Sequence, residues 1–345
     1  MTRVRMSKWP RLGAGIIVAI LPAFAASGAS AEPAAEFYSG KTITVIVGSA
    51  AGGGFDLYAR TLSVHMPRHA PGHPKMQLQF MPGAGGTKAT NYLYTVSPRD
   101  GSVFALPSQG VALAQKLTSG VRYDAAKMNW IGRMVSTSAV LVVWHTAPAT
   151  KLEQMKNSEI VFGTTGKGRD TYFFPRMMET LLGYKVKVVA GYPGAAHIMN
   201  AMERGELHGY TSNWAALLGT RGDWLREGKL IPIASASMEK RKDYPQLPLL
   251  AELTTDPHKR AIIEFFSSAA GVGRSFALPP DVPRERVGAL RRAFDQTMVD
   301  SAFAADAKKR KMELEPLKGE QVQAVVERVI DTPESVIEAA KKAVE

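Results

Sequence analysis

Short apolar runs alternate with segments of helical periodicity over most of the chain. The apolar runs predict β-strands at residues 42–47, 76–80, 103–106, 139–144, 159–162, 186–189, 207–211, 230–234 and 267–272. Helices are predicted between the strands, among them residues 56–66, 171–182 and 195–204, and a further helix from residue 283. Strands that alternate with helices of about 10–15 residues are typical of βαβ units. The pattern therefore predicts an α/β fold with mainly parallel sheets flanked by helices.

The alternation runs through two series, which predicts two lobes. The first series ends near residue 145, and a connector at residues 148–157 leads into the second. Beyond residue 254 the pattern returns to one strand followed by long helices. We therefore assign residues 36–145 and 255–345 to a first lobe and residues 146–254 to a second lobe.

The N-terminus has the three-part pattern of a secretory signal peptide. A basic start with four Lys and Arg residues is followed by an apolar run at 12–26 and by the small-residue cleavage site Ala29-Ser30-Ala31. We expect residues 1–31 to be removed by cleavage after Ala31 and the mature chain to reach the periplasm. The alternative is an uncleaved membrane anchor, which the run disfavours because a spanning helix needs about 20 apolar residues.

The amino-acid composition excludes several kinds of site and favours one kind of partner. The 345 residues include no cysteine, which excludes a disulfide scaffold, a thiolate zinc site, an iron–sulfur cluster and a cysteine nucleophile. An apolar fraction of 45% with 21% charged residues is that of a globular protein. The formal net charge of +12, or +8 after cleavage, favours anionic partners.

Glycine-rich turns recur between a predicted strand and a predicted helix. They follow the strands at 42–47, 76–80 and 159–162. The first amides of a helix have no intrahelical partner and lie at its positive end, and glycine lets an anion approach the backbone closely. Three such turns predict an anion site at the carboxyl ends of the strands. The alternative is that the glycines only make tight turns.

Several enzyme and cofactor sites are excluded by spacing. Gly52-Gly53-Gly54 does not fit a dinucleotide fingerprint, and no acidic residue lies between Asp56 and Asp100 to bind a ribose. His65, His69 and His73 are four residues apart, but prolines interrupt that helix and no carboxylate is close in sequence. No Gly-x-Ser-x-Gly elbow occurs. We therefore expect no catalytic residue, no metal and no cofactor, and we expect no nucleic-acid partner.

Several short segments together resemble one known family. They are the strand at 43–47 with Ala51-Gly52-Gly53-Gly54-Phe55-Asp56, the loop Pro82-Gly83-Ala84-Gly85-Gly86, the loop at 163–168, the turn Gly191-Tyr192-Pro193-Gly194 and the stretch at 247–252. In this order they resemble the solute receptors of tripartite tricarboxylate transporters, the Bug or TctC-like family. The resemblance covers roughly residues 37–330.

The resemblance implies a two-lobed periplasmic binding protein that holds a small organic acid between its lobes and closes around it. It also implies delivery to a membrane permease of the tripartite tricarboxylate type, and we expect the receptor to be a monomer. The resemblance assigns ligand-binding roles to Ala51, Gly52, Gly53, Pro82, Gly83, Ala84, Gly85, Gly86, Thr164, Thr165, Gly166, Gly168, Tyr192 and Gly194.

Departures from the family pattern add three candidate residues. Arg169 stands where the family usually has a serine, and it could clamp a second carboxylate or be a surface arginine. Ser212, next to Asn213, stands where an acidic residue is expected, which disfavours an amino-acid ligand because no carboxylate would meet its ammonium group. Two other functions stay open: a periplasmic enzyme for a small anion, and a sensor subunit of a membrane signalling protein.

Overall fold

Two β-sheets organise the chain in the computed structural model, which describes residues 1–3, 33–166 and 170–345. The predicted signal peptide lies almost wholly outside the described residues. The strands are β1 Thr42–Val47, β2 Lys75–Phe80, β3 Val103–Leu106, β4 Asn129–Arg133, β5 Ala139–Trp144, β6 Ile160–Thr164, β7 Val186–Ala190, β8 Gly209–Asn213, β9 Leu230–Ala236, β10 Ser275–Leu278 and β11 Leu317–Lys318.

Helices cover the faces of both sheets. They are α1 Ala34–Tyr38, α2 Gly54–His65, α3 Thr87–Thr95, α4 Val111–Leu117, α5 Asp170–Thr180, α6 Ala195–Glu203, α7 Trp214–Arg226, α8 Pro257–Val272, α9 Arg284–Met298, α10 Ser301–Lys309, α11 Gly319–Ile330 and α12 Glu334–Ala343. In the described residues, none of these helices combines the length and apolar character needed to cross a membrane.

Each sheet has a parallel half and an antiparallel half. The first sheet has the order β11-β4-β10-β3-β1-β2, with β1 parallel to β2 and β3, and with β10 antiparallel to β3 and β4. The second has the order β7-β6-β8-β5-β9, with β6 parallel to β7 and β8, and with β5 antiparallel to β8 and β9. The predicted α/β class is confirmed, and the sheets are mixed.

The antiparallel strands follow from how the chain crosses between the sheets. It leaves the first sheet at the carboxyl end of β4 and, after residues 134–138, enters the second sheet at β5. Because β5 enters at the edge where β6, β7 and β8 end, it must run against them. The return works in the same way, since β9 ends at this edge and β10 starts at the matching edge of the first sheet.

Sheet membership moves one predicted boundary. The sequence pattern places the strand Ala139–Trp144 in the first lobe, but this strand pairs with β8 and β9 in the second sheet. The first crossing therefore lies between Arg133 and Ala139. The full division into lobes remains a proposal.

The strand predicted at residues 267–272 is wrong, because these residues form the last part of α8. Asp256 accepts hydrogen bonds from the amides of His258 and Lys259, and Pro257 occupies the first helical position. Buried apolar residues then recur at helical spacing until Gly273, whose φ of 50° ends the helix. The strand begins two residues later, at Ser275.

One apolar core cluster contains residues of both sheets. It joins Ile46 and Ala105 of the first sheet to Val143 and Phe162 of the second, and it includes buried residues of α5, α8, α11 and α12. The rings of Phe173 in α5 and Phe266 in α8 lie 5.0 Å apart. The helices α8 and α12 thus contribute to a core that residues of both sheets share.

Candidate ligand-binding site

The glycine-rich loops lie at the two sheet edges that the crossing segments join. Register places Arg133 at the end of β4 opposite Ser275, and Ala139 at the start of β5 opposite Asn213. The strands β1, β2 and β3 run in the direction of β4, so their carboxyl ends share that edge of the first sheet. In the second sheet, β6, β7 and β8 end at the edge where β5 begins. Only residues 134–138 separate these edges along the chain.

The first loop is shaped by a carboxylate of its own helix. Residues Ala51, Gly52 and Gly53 are exposed, and Gly53 caps the N-terminus of α2. Asp56, in the first turn of α2, is buried and accepts a 2.7 Å hydrogen bond from the Gly52 amide. Arg60 lies 2.6 Å from the same carboxylate. The amide of Gly52, one of the predicted ligand donors, is therefore engaged within the protein.

The second loop turns through left-handed backbone at four successive residues. The φ angles of Gly83, Ala84, Gly85 and Gly86 are 137°, 45°, 62° and 99°. Pro82 and the next three residues are exposed, whereas Gly86 is buried. A Cβ on Gly86 would lie 2.8 Å from the Cβ of Ser108, in the loop after β3. Only glycine fits there, and the loops after β2 and β3 are therefore in contact.

The third and fourth loops are tied together through Thr164. Its carbonyl oxygen accepts hydrogen bonds from the amides of Gly191 and Tyr192, at 3.1 and 3.3 Å. Its hydroxyl lies 2.8 Å from that of Thr171. The structure places these loops at one edge of the second sheet. Of the remaining predicted residues, Thr165, Gly166, Tyr192 and Gly194 are partly exposed, and Gly168 and Arg169 lie outside the described residues.

Ser212 and Asn213 end β8 at the same edge. The Asn213 side chain accepts a 3.1 Å hydrogen bond from the amide of Ala216 and so caps α7. The buried hydroxyl of Ser212 lies 3.3 Å from the carbonyl oxygen of Asn213. These polar groups have local partners, and their predicted role in ligand binding stays a prediction.

Arg274, which the sequence reasoning missed, lies against the first loop. It directly precedes β10, and its Nη1 donates a 2.6 Å hydrogen bond to Gln109 Oε1 in the loop after β3. Its guanidinium carbon lies 3.9 Å from the centre of the Phe55 ring, at the start of α2. Burial lowers the pKa of Arg274 to about 10, so the side chain stays protonated at neutral pH. A signal was present in the sequence, since Arg274 is the single charge in the apolar stretch 269–278.

His65 and His69 have no carboxylate close in sequence, but each contacts a carboxylate of the distant α10 segment. His65 lies 3.0 Å from Asp306 in α10, and His69 lies 2.8 Å from Asp300, which caps that helix. The sequence distance of more than 230 residues hid both pairs. Across the described ranges, no group of three or more His, Cys, Asp or Glu side chains is arranged to hold a metal ion.

Two mixed α/β sheets whose glycine-rich loops end at adjoining edges, with the chain crossing between them, define the class of two-lobed solute-binding proteins. The family model described as "Tripartite tricarboxylate transporter family receptor" matches residues 76–341. The chain belongs to this family. It is therefore a solute-binding receptor of the periplasmic kind, as the sequence resemblance predicted.

Relatives of similar length agree with this assignment. The chain is 26% identical over 249 residues to the "UPF0065 protein in gbd 5'region" of Cupriavidus necator, a match that covers 68% of this chain and 72% of the relative. It is 24% identical over 253 residues to protein BugT of Bordetella pertussis, covering 69% of this chain and 73% of the relative.

Solved structures share the fold. A TctC solute-binding protein from Polaromonas, without ligand, superposes with a TM-score of 0.68 at 21% identity, covering 88% of this chain and 99% of that one. R. palustris Rpa4515 with adipate gives a TM-score of 0.59 at 19% identity, covering 88% and 98%. MatC from Rhodopseudomonas palustris with bound malate gives 0.56 at 18% identity, covering 88% and 99%.

Proposed function

We propose that this protein captures a small organic acid between its two lobes in the periplasm and delivers it to a membrane permease of the tripartite tricarboxylate type. The observation that carries the proposal is the position of the glycine-rich loops. They lie at the sheet edges that residues 134–138 join, with exposed backbone at Ala51–Gly53 and Pro82–Gly85. Such loops at the carboxyl ends of strands are where open α/β sheets bind ligands.

The chemistry of the ligand is inferred from the loops and from the relatives. Helix N-termini favour anions, and the N-termini of α2, α3 and α6 follow three of the loops. Malate and adipate, bound by two proteins of the same fold, are both dicarboxylates. A small dicarboxylate is therefore the first ligand to test.

The proposed cycle is closure of the two lobes around the ligand. A ligand that contacts both sets of loops makes more contacts in the closed form than in the open form, so it shifts the population toward closure. The permease would then recognise the closed receptor. The crossing segments at 134–138 and between β9 and β10 would carry the hinge motion.

A thermal-unfolding screen of the purified protein tests the proposal. The panel contains malate, succinate, adipate, citrate, benzoate and inorganic phosphate, each with a mass-spectrometric check for turnover. A ligand at 100 times its dissociation constant should stabilise the protein by about 2.7 kcal/mol. Stabilisation by at least one carboxylate without turnover is expected. Turnover of a bound compound would instead favour the enzyme alternative, and no stabilisation by any acid would overturn the proposal.

The loop assignment has its own test, in Gly85→Val. Gly85 has a φ of 62°, which a β-branched residue adopts only with strain, and a Cβ there would meet no atom within 4 Å. We expect the variant to fold but to change the loop and lose acid binding in the same thermal screen. Gly205→Val is the matched control, with a φ of 75°, equally open space and a position remote from the loops. Unchanged affinity in Gly85→Val would contradict the assignment.

Export is tested by the mass of the mature protein. We propose cleavage after Ala31, which would leave Glu32 as the first residue and remove four positive charges. Intact-mass analysis of the periplasmic fraction should give the mass of residues 32–345. Recovery of the full-length mass in the membrane fraction would favour the uncleaved anchor.

A further inference from the structure

We propose that Arg274 is the cationic anchor of the ligand site, binding one carboxylate of the organic acid beside the first glycine-rich loop. This inference rests on the proposed function and deepens it, because it assigns the ligand's charge to a side chain rather than to backbone amides alone.

The first crossing segment, residues 134–138, positions the backbone of Arg274. Its amide donates a 3.0 Å hydrogen bond to the carbonyl oxygen of Val135, and its carbonyl oxygen accepts a 2.9 Å hydrogen bond from the amide of Met134. Both partners belong to the segment that crosses from the first sheet to the second. The backbone of Arg274 is thus held at the sheet edge where the ligand loops end.

The guanidinium group is held on two sides. The Phe55 ring lies 3.9 Å from its central carbon on one side, and Gln109 accepts a hydrogen bond from Nη1. Its Nη2 lies 3.8 Å from where a Cβ of Gly54 would be. Stacking on an aromatic ring orients the planar group, so little side-chain freedom is left to lose when an anion binds. The arginine therefore lies between the loop after β1 and the loop after β3.

The charge of Arg274 has no carboxylate partner in the described part of the chain. The carboxylate beside the first glycine-rich loop is that of Asp56, which accepts a hydrogen bond from the Gly52 amide and forms an ion pair with Arg60. Two buried arginines are satisfied in other ways: Arg241 has Asp243 at 2.8 Å, and Arg133 donates to the backbone carbonyl oxygens of Gly271 and Glu315. The guanidinium of Arg274 is partly buried, and its neighbours are the amide of Gln109, the Phe55 ring and the phenol of Tyr58, which burial keeps neutral at pH 7. It has therefore lost hydration without gaining an opposite charge. An anionic ligand would supply that charge.

The donor arrangement matches a carboxylate. A guanidinium has five N–H donors in a planar fork, and one of them is used by Gln109. The remaining donors can form the paired, parallel hydrogen bonds that arginine makes with carboxylates. Because the amide of Gly52 is already engaged, the arginine and the free first amides of α2 would bind the anion together.

The test compares four proteins in isothermal titration with the dicarboxylates malate and adipate, their diamides and inorganic phosphate. The variants are Arg274→Gln, Arg274→Lys and the control Arg292→Gln, which removes the same charge from an exposed position on α9. We expect Arg274→Gln to weaken dicarboxylate binding at least tenfold, Arg274→Lys to restore part of the affinity, and Arg292→Gln to bind as the wild type does. The diamides should not bind the wild type.

The unfolding temperature without ligand separates a binding role from a structural one. Arg274→Gln should be as stable as the wild type or more stable, because it removes a desolvated charge. A large loss of stability in Arg274→Gln, with dicarboxylate binding unchanged in Arg274→Lys, would assign Arg274 to structure and overturn the inference.

The outcomes distinguish the inference from the proposed function. Dicarboxylate binding that is equal in the wild type and Arg274→Gln would overturn the inference and leave the proposed function standing. Binding of phosphate alone, lost in Arg274→Gln, would confirm the anchor and overturn the carboxylate class. No binding of any anion by the wild type would overturn both.

Discussion

At the residue scale, the structure shows side chains whose partners come from distant parts of the chain. Arg274 and Gln109 are 165 residues apart, and His65 and Asp306 are 241 residues apart. Local patterns cannot reveal such pairs, whereas the contact of Asp56 with Gly52 spans only four residues. A carboxylate in the first turn after a glycine-rich loop is a pattern that sequence reasoning can use.

His208 gives a pH prediction at this scale. Its Nδ1 accepts a 3.1 Å hydrogen bond from the amide of Val161, and burial lowers its pKa. Because the folded state disfavours protonation, the contribution of His208 to stability is complete above the ordinary histidine pKa of about 6.5 and is lost as the pH falls below it.

We therefore expect the free energy of unfolding of the wild type to fall more between pH 7.5 and pH 5.5 than that of His208→Asn, in which Oδ1 can accept the same hydrogen bond. Urea titrations at the two pH values measure this difference. His258→Asn, at an exposed position, is the control and should follow the wild type. Equal pH dependence in all three proteins would contradict the assignment.

At the element scale, the glycine that ends α8 packs against the first crossing segment, residues 134–138. Gly273 has a φ of 50°, and a Cβ there would press against the carbonyl oxygen of Val135. That carbonyl is the one that accepts the hydrogen bond from Arg274. Val135 of the first crossing segment therefore contacts both the end of α8 and the backbone of Arg274.

We predict that Gly273→Ala lowers the free energy of unfolding by about 2 kcal/mol or more, because both the backbone angle and the space exclude a side chain. Gly205→Ala is the control for a positive φ in open space, since Gly205 has a φ of 75° and a Cβ there meets no atom within 4 Å. Chemical denaturation measures both. An equal loss in the two variants would show that crowding against Val135 is negligible.

The C-terminal helix gives a second prediction at this scale. Ile337 of α12 is fully buried in the core cluster that contains residues of both sheets. Ile337→Ala should cost about 2–5 kcal/mol of stability, because a buried side chain leaves a cavity. Val299→Ala, at a side chain that is 84% exposed, should change stability by less than about 0.5 kcal/mol. Equal effects would mean that α12 contributes no packing to the core.

The sequence predicts an element correctly where the residues of that element alone determine its type. The apolar runs at 42–47, 103–106 and 139–144 match β1, β3 and β5 residue for residue. The strand prediction at 267–272 is wrong because six small, uncharged residues, Ser-Ser-Ala-Ala-Gly-Val, show no periodicity that separates a buried helix from a buried strand. The Asp256-Pro257 start, ten residues upstream, was the signal that separates them.

At the scale of the whole molecule, the sheet that a strand joins is set by contacts between distant segments. Nothing in the residues of β5 tells that it pairs with β8 and β9 rather than with β4. The family resemblance correctly gave the two-lobed α/β fold, while the mixed sheets follow from the crossings. The two lobes share one core cluster through α8 and α12, so any closure must pivot about that shared packing.

Closure can be measured directly because the chain contains no cysteine. Spin labels at Val96→Cys, after α3, and Glu203→Cys, at the end of α6, would report the separation of helices that flank different sheets. Labels at Val96→Cys and Val299→Cys flank the first sheet only and form the control pair. A saturating dicarboxylate should shorten the first distance and leave the second unchanged.

The change in the populations of the open and closed forms depends on how much more tightly the ligand binds the closed form. Moving the population from 1:99 to 99:1 requires about 10⁴-fold tighter binding to the closed form, or about 5.5 kcal/mol. If Arg274 anchors the ligand to the first lobe, Arg274→Gln should show the unliganded distance distribution at ligand concentrations that close the wild type. Because that variant keeps the hinge backbone, a distribution that still shortens fully would assign closure to the loops alone. A wild type that binds acid without any change in distance would show that this receptor takes up its ligand without lobe motion.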